Sequence, residues 1–214
     1  YELKFADGTT KDVDVAELPA CIDISERWEV TFPLLRRPEL TVHFDELTSW
    51  DENANEEVKY FSGTATYRKK VNIEQMAGAG TRYFLSLEKL HDIADIRING
   101  EKAGVIWTPP YYTDITPYLR KGENNIEILV TNTWVNRLIG DEQLPPDLPY
   151  KPQTDGTNQL LELPDWLEHP STRKSDRRTF STWKHYHADS PLKKAGLEGK
   201  ACIIPIKEVK LKDL

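Results

Sequence analysis

The feature that most constrains this chain is a strict two-residue alternation of apolar and polar side chains. In Ala94, Asp95, Ile96, Arg97, Ile98 and Asn99 the apolar members share one side of an extended backbone and the polar members the other, because successive side chains of a strand point to opposite faces. Ile126, Ile128 and Val130 repeat the pattern, with Glu127 and Leu129 on the reverse. One dry face and one wet face describe antiparallel strands, since parallel strands covered on both sides read as unbroken apolar runs. Comparable runs are WEVTF (28–32), LTVHF (40–44), GTATYRKKVNI (63–73), RYFLSLEKL (82–90), IADIRING (93–100), NNIEILVTN (124–132), TFSTWKHY (179–186) and ACIIPIKEVKL (201–211). Eight such runs with few helical segments predict an all-β fold, an antiparallel β-sandwich of the jelly-roll kind.

Turn residues punctuate the runs. Asn99-Gly100 predicts a tight hairpin, because both residues readily take the positive φ that primed turns need. Thr116-Pro117 predicts the start of one helical turn that ends at Gly122, and Asp7-Gly8 a turn after the strand-like start YELKF. Between residues 141 and 178 the alternation stops, and 6 of the 14 prolines fall there. A segment of that length without regular structure is uncommon in a compact domain unless it covers a surface or walls a site. Its QLLELPDWLEH stretch carries enough leucine and tryptophan to predict a docked excursion with one short helix. Residues 1–214 then form a single sandwich domain with a Pro-rich loop insertion at 141–178.

The totals narrow the partners. With 6 Trp, 9 Tyr and 6 Phe there is ample apolar surface for one core, while a net charge of −7 opposes binding to nucleic acid or to anionic membrane surfaces. No run approaches the roughly 18 apolar residues of a membrane-spanning helix. Two cysteines, Cys21 and Cys202, are too few for a disulfide scaffold and read as buried free thiols, with a bridge open to them if the first and last strands adjoin. The chain starts at Tyr1 with neither a charged leader nor an apolar stretch before its first strand, which reads as a piece of a longer polypeptide.

None of the spacing-specific catalytic signatures occurs, and 35 acidic residues offer too many carboxylate pairs to select one. No catalytic residue is assigned. His185 and His187, two apart, could share a metal or simply line a solvated strand edge. Sugar binding makes a different demand: an aromatic plate for the apolar C–H face of a pyranose, bordered by polar groups for its hydroxyls. Trp107, Tyr111 and Tyr112, set around Pro109-Pro110, offer this. So does NTWVNRLIGD (132–141), with Trp134, Asn136, Arg137 and Asp141. The same rings also serve as core lids at sandwich corners, and Arg137 with Asp141 also reads as a structural salt bridge. Trp28, Trp50 and Trp183 are expected in the core and Trp166 as a pin for the excursion. RKSDRR (173–178) reads as a solvated charge patch.

Taken together, YFSGTATYRKKVNI and LEKLHDIADIRINGEKAGVIWTPPYYTDITPYLRKGENNIEILVTNTW resemble the sugar-binding jelly-roll domain of β-galactosidase and β-glucuronidase type glycoside hydrolases. With SWDENANEEVKYFSGTATYRK, VTNTWVNRLIGD and SPLKKAGLEG added, the chain resembles the C-terminal β-sandwich of bacterial α-L-rhamnosidases over about residues 28–199. Matching positions include Gly63, Tyr67, Asn99, Gly100, Trp107, Asn132, Trp134, Arg137, Gly140 and Asp141; AGLEGKACIIP departs from the family pattern. The resemblance implies a galactose-binding-like fold and an accessory, non-catalytic module of a glycoside hydrolase acting on plant glycans. It further implies a catalytic domain in the same polypeptide, carbohydrate as a partner, and a periplasmic or extracellular location. No cofactor is implied beyond a structural calcium, which similar domains hold. Two other roles stay open: lending loop residues to a shared glycosidase active site, or stabilising the enzyme without sugar affinity.

Overall fold

The computed structural model describes residues 1–13, 19–35, 37–78, 80–154 and 158–207; the end of the expected run ACIIPIKEVKL, from residue 208 onward, lies outside the described residues. Fourteen strands are present among them. The first two, β1 (Glu2–Lys4) and β2 (Thr10–Asp12), form a small hairpin closed at Asp7 and Gly8, whose φ is +88°. The body consists of β3 (Ile22–Asp23), β4 (Glu26–Phe32), β5 (Leu40–Glu46), β6 (Thr64–Ile73), β7 (Thr81–His91), β8 (Ile93–Ile98), β9 (Glu101–Ile106), β10 (Tyr112–Asp114), β11 (Gly122–Thr131) and, near the far end of the chain, β14 (Gly196–Lys207). One sheet has six strands in the order β5-β4-β6-β11-β8-β9, the other four in the order β10-β7-β14-β3, and every pairing is antiparallel. The chain is an all-β sandwich, as the alternation predicts.

The two inner faces meet in one core. Ala94, Ile96 and Ile98 of β8, Ile126, Ile128 and Val130 of β11, and Trp28, Val30 and Phe32 of β4 oppose Leu85 and Leu87 of β7 and Leu197, Ala201 and Ile203 of β14. Burial of this apolar area is the main force holding the sheets together, at about 25 cal/mol per Å². At its centre the Trp50 indole donates to the Tyr67 hydroxyl at 2.6 Å, and that oxygen also accepts from the Leu197 amide at 3.2 Å. The buried phenol oxygen thus accepts two hydrogen bonds in place of water, and burial holds its pKa above the ordinary tyrosine range. Gly196 lies against this pair with φ +86°, and a Cβ there would run into the Trp50 ring.

Local expectations fare unevenly. Asn99 and Gly100 form the two-residue β8–β9 turn, with φ of +54° and +86°. Thr116–Tyr118 is one 3-10 turn with Pro117 at its start. By contrast, NTWVNRLIGD contains a helix. Here α1 is Glu56–Lys59 and α2 is Val135–Asp141. The excursion holds a hairpin of β12 (Tyr150–Pro152) and β13 (Asn158–Leu160), followed by the 3-10 turns Asp165–Leu167 and Pro170–Thr172. TFSTWKHY is not a strand: among the described residues it makes one isolated bridge, Trp183 with Gln159 of the three-residue β13. Trp183 is consequently 39% exposed rather than in the core. Cys21 is exposed and Cys202 half-buried, so the expectation of two buried thiols is corrected; Cys202 sits on β14 opposite Asp23 of the short edge strand β3, which leaves one side open to water.

Candidate functional site

The ladder registers bring the two aromatic stretches to one end of the six-stranded sheet. Thr131, the last residue of β11, pairs with Thr64 at the start of β6 and with Ile93 at the start of β8, while Ile106 at the end of β9 pairs with Ala94. Trp107 and Trp134, which follow β9 and β11, therefore leave the same end of that sheet, and Trp134 turns toward the start of β6, where it lines a cavity with Phe61 and Ser62. Both are open to solvent, Trp107 at 69% and Trp134 at 64%. Tyr112 is exposed at the start of β10 and packs edge-on to Phe84 at 5.6 Å. Tyr111 is half-buried against the core.

The residues around Trp134 divide into outward and inward members. Asn132 fixes the chain at the strand end: its Oδ1 accepts from the Gly63 amide at 3.0 Å and its Nδ2 donates to the Phe61 carbonyl at 2.9 Å. In the first turn of α2, Asn136 is buried. Its amide donates to the Lys193 carbonyl at 2.7 Å and accepts from the Lys193 amide at 2.8 Å, so both ends are occupied within the chain. Asp141 is 1% exposed, and its Oδ2 takes the amides of Arg178 (2.9 Å) and Thr179 (2.7 Å) together with the Thr179 hydroxyl (2.6 Å). Its other oxygen faces the Arg137 guanidinium at 3.0 Å, which is the structural ion pair read from the sequence. Gly140 permits this packing, since a Cβ there would strike Tyr60 and Arg137. Burial pulls the Arg137 pKa down and Asp141 opposes that pull, while Arg137 also lies over the Tyr60 ring at 5.9 Å.

A cluster of charge that the sequence reading placed in solvent adjoins this helix. Arg173 and Arg177 are nearly buried. Arg173 donates to Asp147 at 2.8 and 3.0 Å and lies over the Trp166 ring at 4.1 Å, both contacts internal to the excursion. Arg177 donates to Glu142 (2.9 Å) and to the carbonyls of Leu144 and Pro145 (2.8 and 2.9 Å). Arg178 and Arg37 both donate to Glu57 Oε1, at 2.5 and 2.8 Å. RKSDRR is thus a clasp, because the planar forks of its arginines find carboxylates and free carbonyls at the excursion's base. The Arg178 hydrogen bond holds the Glu57 carboxyl below its ordinary pKa despite burial.

Two adjoining cavities open at this end. One, of about 190 Å³, is lined by Pro33, Leu34, Leu35, Phe61, Ser62, Trp134, Arg137 and Arg178. The other, of about 210 Å³, shares Arg137 and Arg178 and adds Arg37, Glu56, Glu57, Tyr60, Gly140, Gln143, Leu144 and Asp176. An apolar and aromatic wall beside guanidinium donors and a carboxylate is the chemistry a sugar ring asks for. Arg37, Glu57 and Tyr60 carry no spacing signal in the sequence, and Arg178, read there as part of a solvated run, meets Glu57 across 121 positions. His185 and His187 are both exposed, and among the described residues no group of three or more His, Cys, Asp or Glu side chains is placed to hold a metal ion.

A family model described as glycosyl hydrolase 2 galactose-binding domain-like matches residues 26–174. A putative beta-glucuronidase of Formosa agariphila is 37% identical over 193 residues, 90% of this chain and 16% of that protein. Among solved structures, a rhamnosidase from Novosphingobium sp. PP1Y has a TM-score of 0.68 and 31% identity, covering 91% of this chain and 16% of that one. A beta-D-glucuronidase from Dictyoglomus thermophilum, at TM-score 0.52 and 16% identity over 88% of this chain and 28% of its own, shares the fold. The chain spans about a sixth of the length of the first two. The matched stretch takes in most of the six-stranded sheet, α2 and the excursion, and on that ground the chain belongs to the glycosyl hydrolase 2 galactose-binding domain-like family.

Proposed function

We propose that this domain is the accessory, non-catalytic module of a periplasmic or extracellular glycoside hydrolase acting on plant glycans, with an α-L-rhamnosidase-like parent that carries this sandwich toward its C-terminus and supplies the chemistry from another domain. It contacts carbohydrate through Trp107 and Trp134 at one end of the six-stranded sheet and through Tyr112 on β10 of the facing sheet. The observation that carries this reading is the placement of two solvent-exposed indoles at one end of one sheet, with the Arg137 guanidinium bordering the cavity under Trp134. Asn136 and Asp141 act here as positioning residues, since their polar atoms are engaged within the chain. Likeness to the Novosphingobium rhamnosidase supports the parent class; the Formosa relative's name makes glucuronides the competing ligands.

Calorimetric titration with rhamnose, galactose, glucuronate and pectic oligosaccharides tests the proposal. Binding to a rhamnose-containing oligosaccharide is expected, with Trp134→Ala weakening it at least about tenfold, equivalent to about 1.4 kcal/mol. Absence of heat with every sugar would leave a stabilising module only, and preference for glucuronate would replace the parent class. Turnover of an aryl rhamnoside by this domain alone would contradict the non-catalytic assignment.

A further inference from the structure

The excursion presents apolar side chains to water while its base is fixed. Leu161 is 61% and Leu163 68% exposed, and Leu167, Phe180 and Trp183 are also exposed, so five of the fourteen large exposed apolar residues among those described fall within 161–183. These five lie in one neighbourhood. The Leu160 amide donates to the Thr182 carbonyl at 3.0 Å and the Lys184 amide to Asn158 at 3.1 Å, so Leu161 leaves β13 beside Phe180. Phe180 in turn meets Trp166 edge-on at 5.6 Å, on the 3-10 turn that carries Leu167. Meanwhile Asp141, Glu142 and Asp147 hold the base through Thr179, Arg177 and Arg173. A loop anchored by buried ion pairs on one side and lined with leucine on the other gains nothing in water from that arrangement, and exposed apolar patches of this sort mark contact surfaces.

We infer that the patch of Leu161, Leu163 and Leu167 docks onto the remainder of the parental glycoside hydrolase polypeptide, on an apolar surface edged with basic side chains. The inference rests on the proposed attachment to a larger enzyme and names the surface that makes it. The family match runs to residue 174 and so includes this patch, and the two relatives that cover nine-tenths of this chain are about six times its length. Most of such a polypeptide is thus available to cover it. The rim gives the sign of the partner: Glu162, Asp165 and Glu168 interleave the leucines, are exposed and have no ion-pair partner among the described residues. A second copy of this chain would bring these carboxylates against their own like, which disfavours a two-fold contact through the patch.

Hydrogen–deuterium exchange on the full-length parental enzyme tests this directly. Amides from 158 to 168 are expected to exchange at least about tenfold more slowly in the intact enzyme than in Leu161→Glu/Leu163→Glu, with a lower unfolding temperature for this domain in the variant, while Val105→Glu on the edge strand β9 changes neither. Sugar titration of the same double variant is expected to match wild type. Exchange at open-loop rates in the intact enzyme, or a dimer that the double variant dissolves, would overturn the assignment. Protection of the patch without any sugar binding would sink the carbohydrate reading and leave the docking surface standing.

Discussion

Asp141 is the residue on which most of the local structure converges, since one carboxylate pairs with Arg137 and receives three hydrogen bonds from Arg178 and Thr179. Asp141→Ala is expected to cost about 3–5 kcal/mol, the range for breaking a buried pair and orphaning its partner, as measured by urea unfolding; a loss under about 1 kcal/mol would contradict this reading. Glu57 sets a pH dependence. Its folded-state pKa is lowered by the Arg178 hydrogen bond from an ordinary value of 4.5, so the unfolded chain binds the proton more readily. Its stabilisation is complete above that value and is lost as pH falls through the lower folded one. Stability curves of wild type and Glu57→Gln should accordingly converge as pH drops below about 4.5, and parallel curves would remove Glu57 from the account. At this scale the sequence speaks clearly where a side chain has one plausible environment: Trp28 and Trp50 are fully buried. It is silent about Arg173 and Arg177, whose partners depend on where the chain returns.

Among the elements, the strands with one wet face were legible because alternation records which side meets the core. TFSTWKHY is rich in strand-forming residues but places Phe180, Trp183 and Tyr186 three apart, and among the described residues it makes only an isolated bridge; composition alone does not supply a neighbour. The helix α2 carried a usable signal that the reading passed over, since Val135, Leu138 and Ile139 have the i, i+3, i+4 spacing of a helical face. The excursion's attachment depends on its arginine clasp, and Arg177→Met, which removes the hydrogen bonds to Glu142, Leu144 and Pro145, is expected to open it to proteolytic cleavage between residues 144 and 170. The sandwich should keep its own unfolding transition, because Arg173, Arg177, Glu142 and Asp147 are not members of the core cluster that β4, β8 and β11 build. Loss of the whole fold in this variant would show the excursion to be part of the core rather than docked on it.

For the molecule as a whole, antiparallel pairing and a two-layered core follow from the alternation, whereas strand order does not, because β3, β7 and β14 meet across separations of more than a hundred residues. The same non-local geometry created the candidate site. Trp107 and Trp134 are 27 positions apart in sequence and reach the same end of one sheet because β8 pairs with both of the strands they follow. The resemblance identified the domain type; the family match places it without deciding what the parent cleaves. The decisive measurement is a ¹H–¹⁵N titration with rhamnose-containing oligosaccharides that follows the six indole N–H resonances. Those of Trp107 and Trp134 are expected to move while those of Trp28 and Trp50 stay fixed. No movement with any sugar, or changes confined to the opposite end around Asn99 and Asn125, would contradict that expectation.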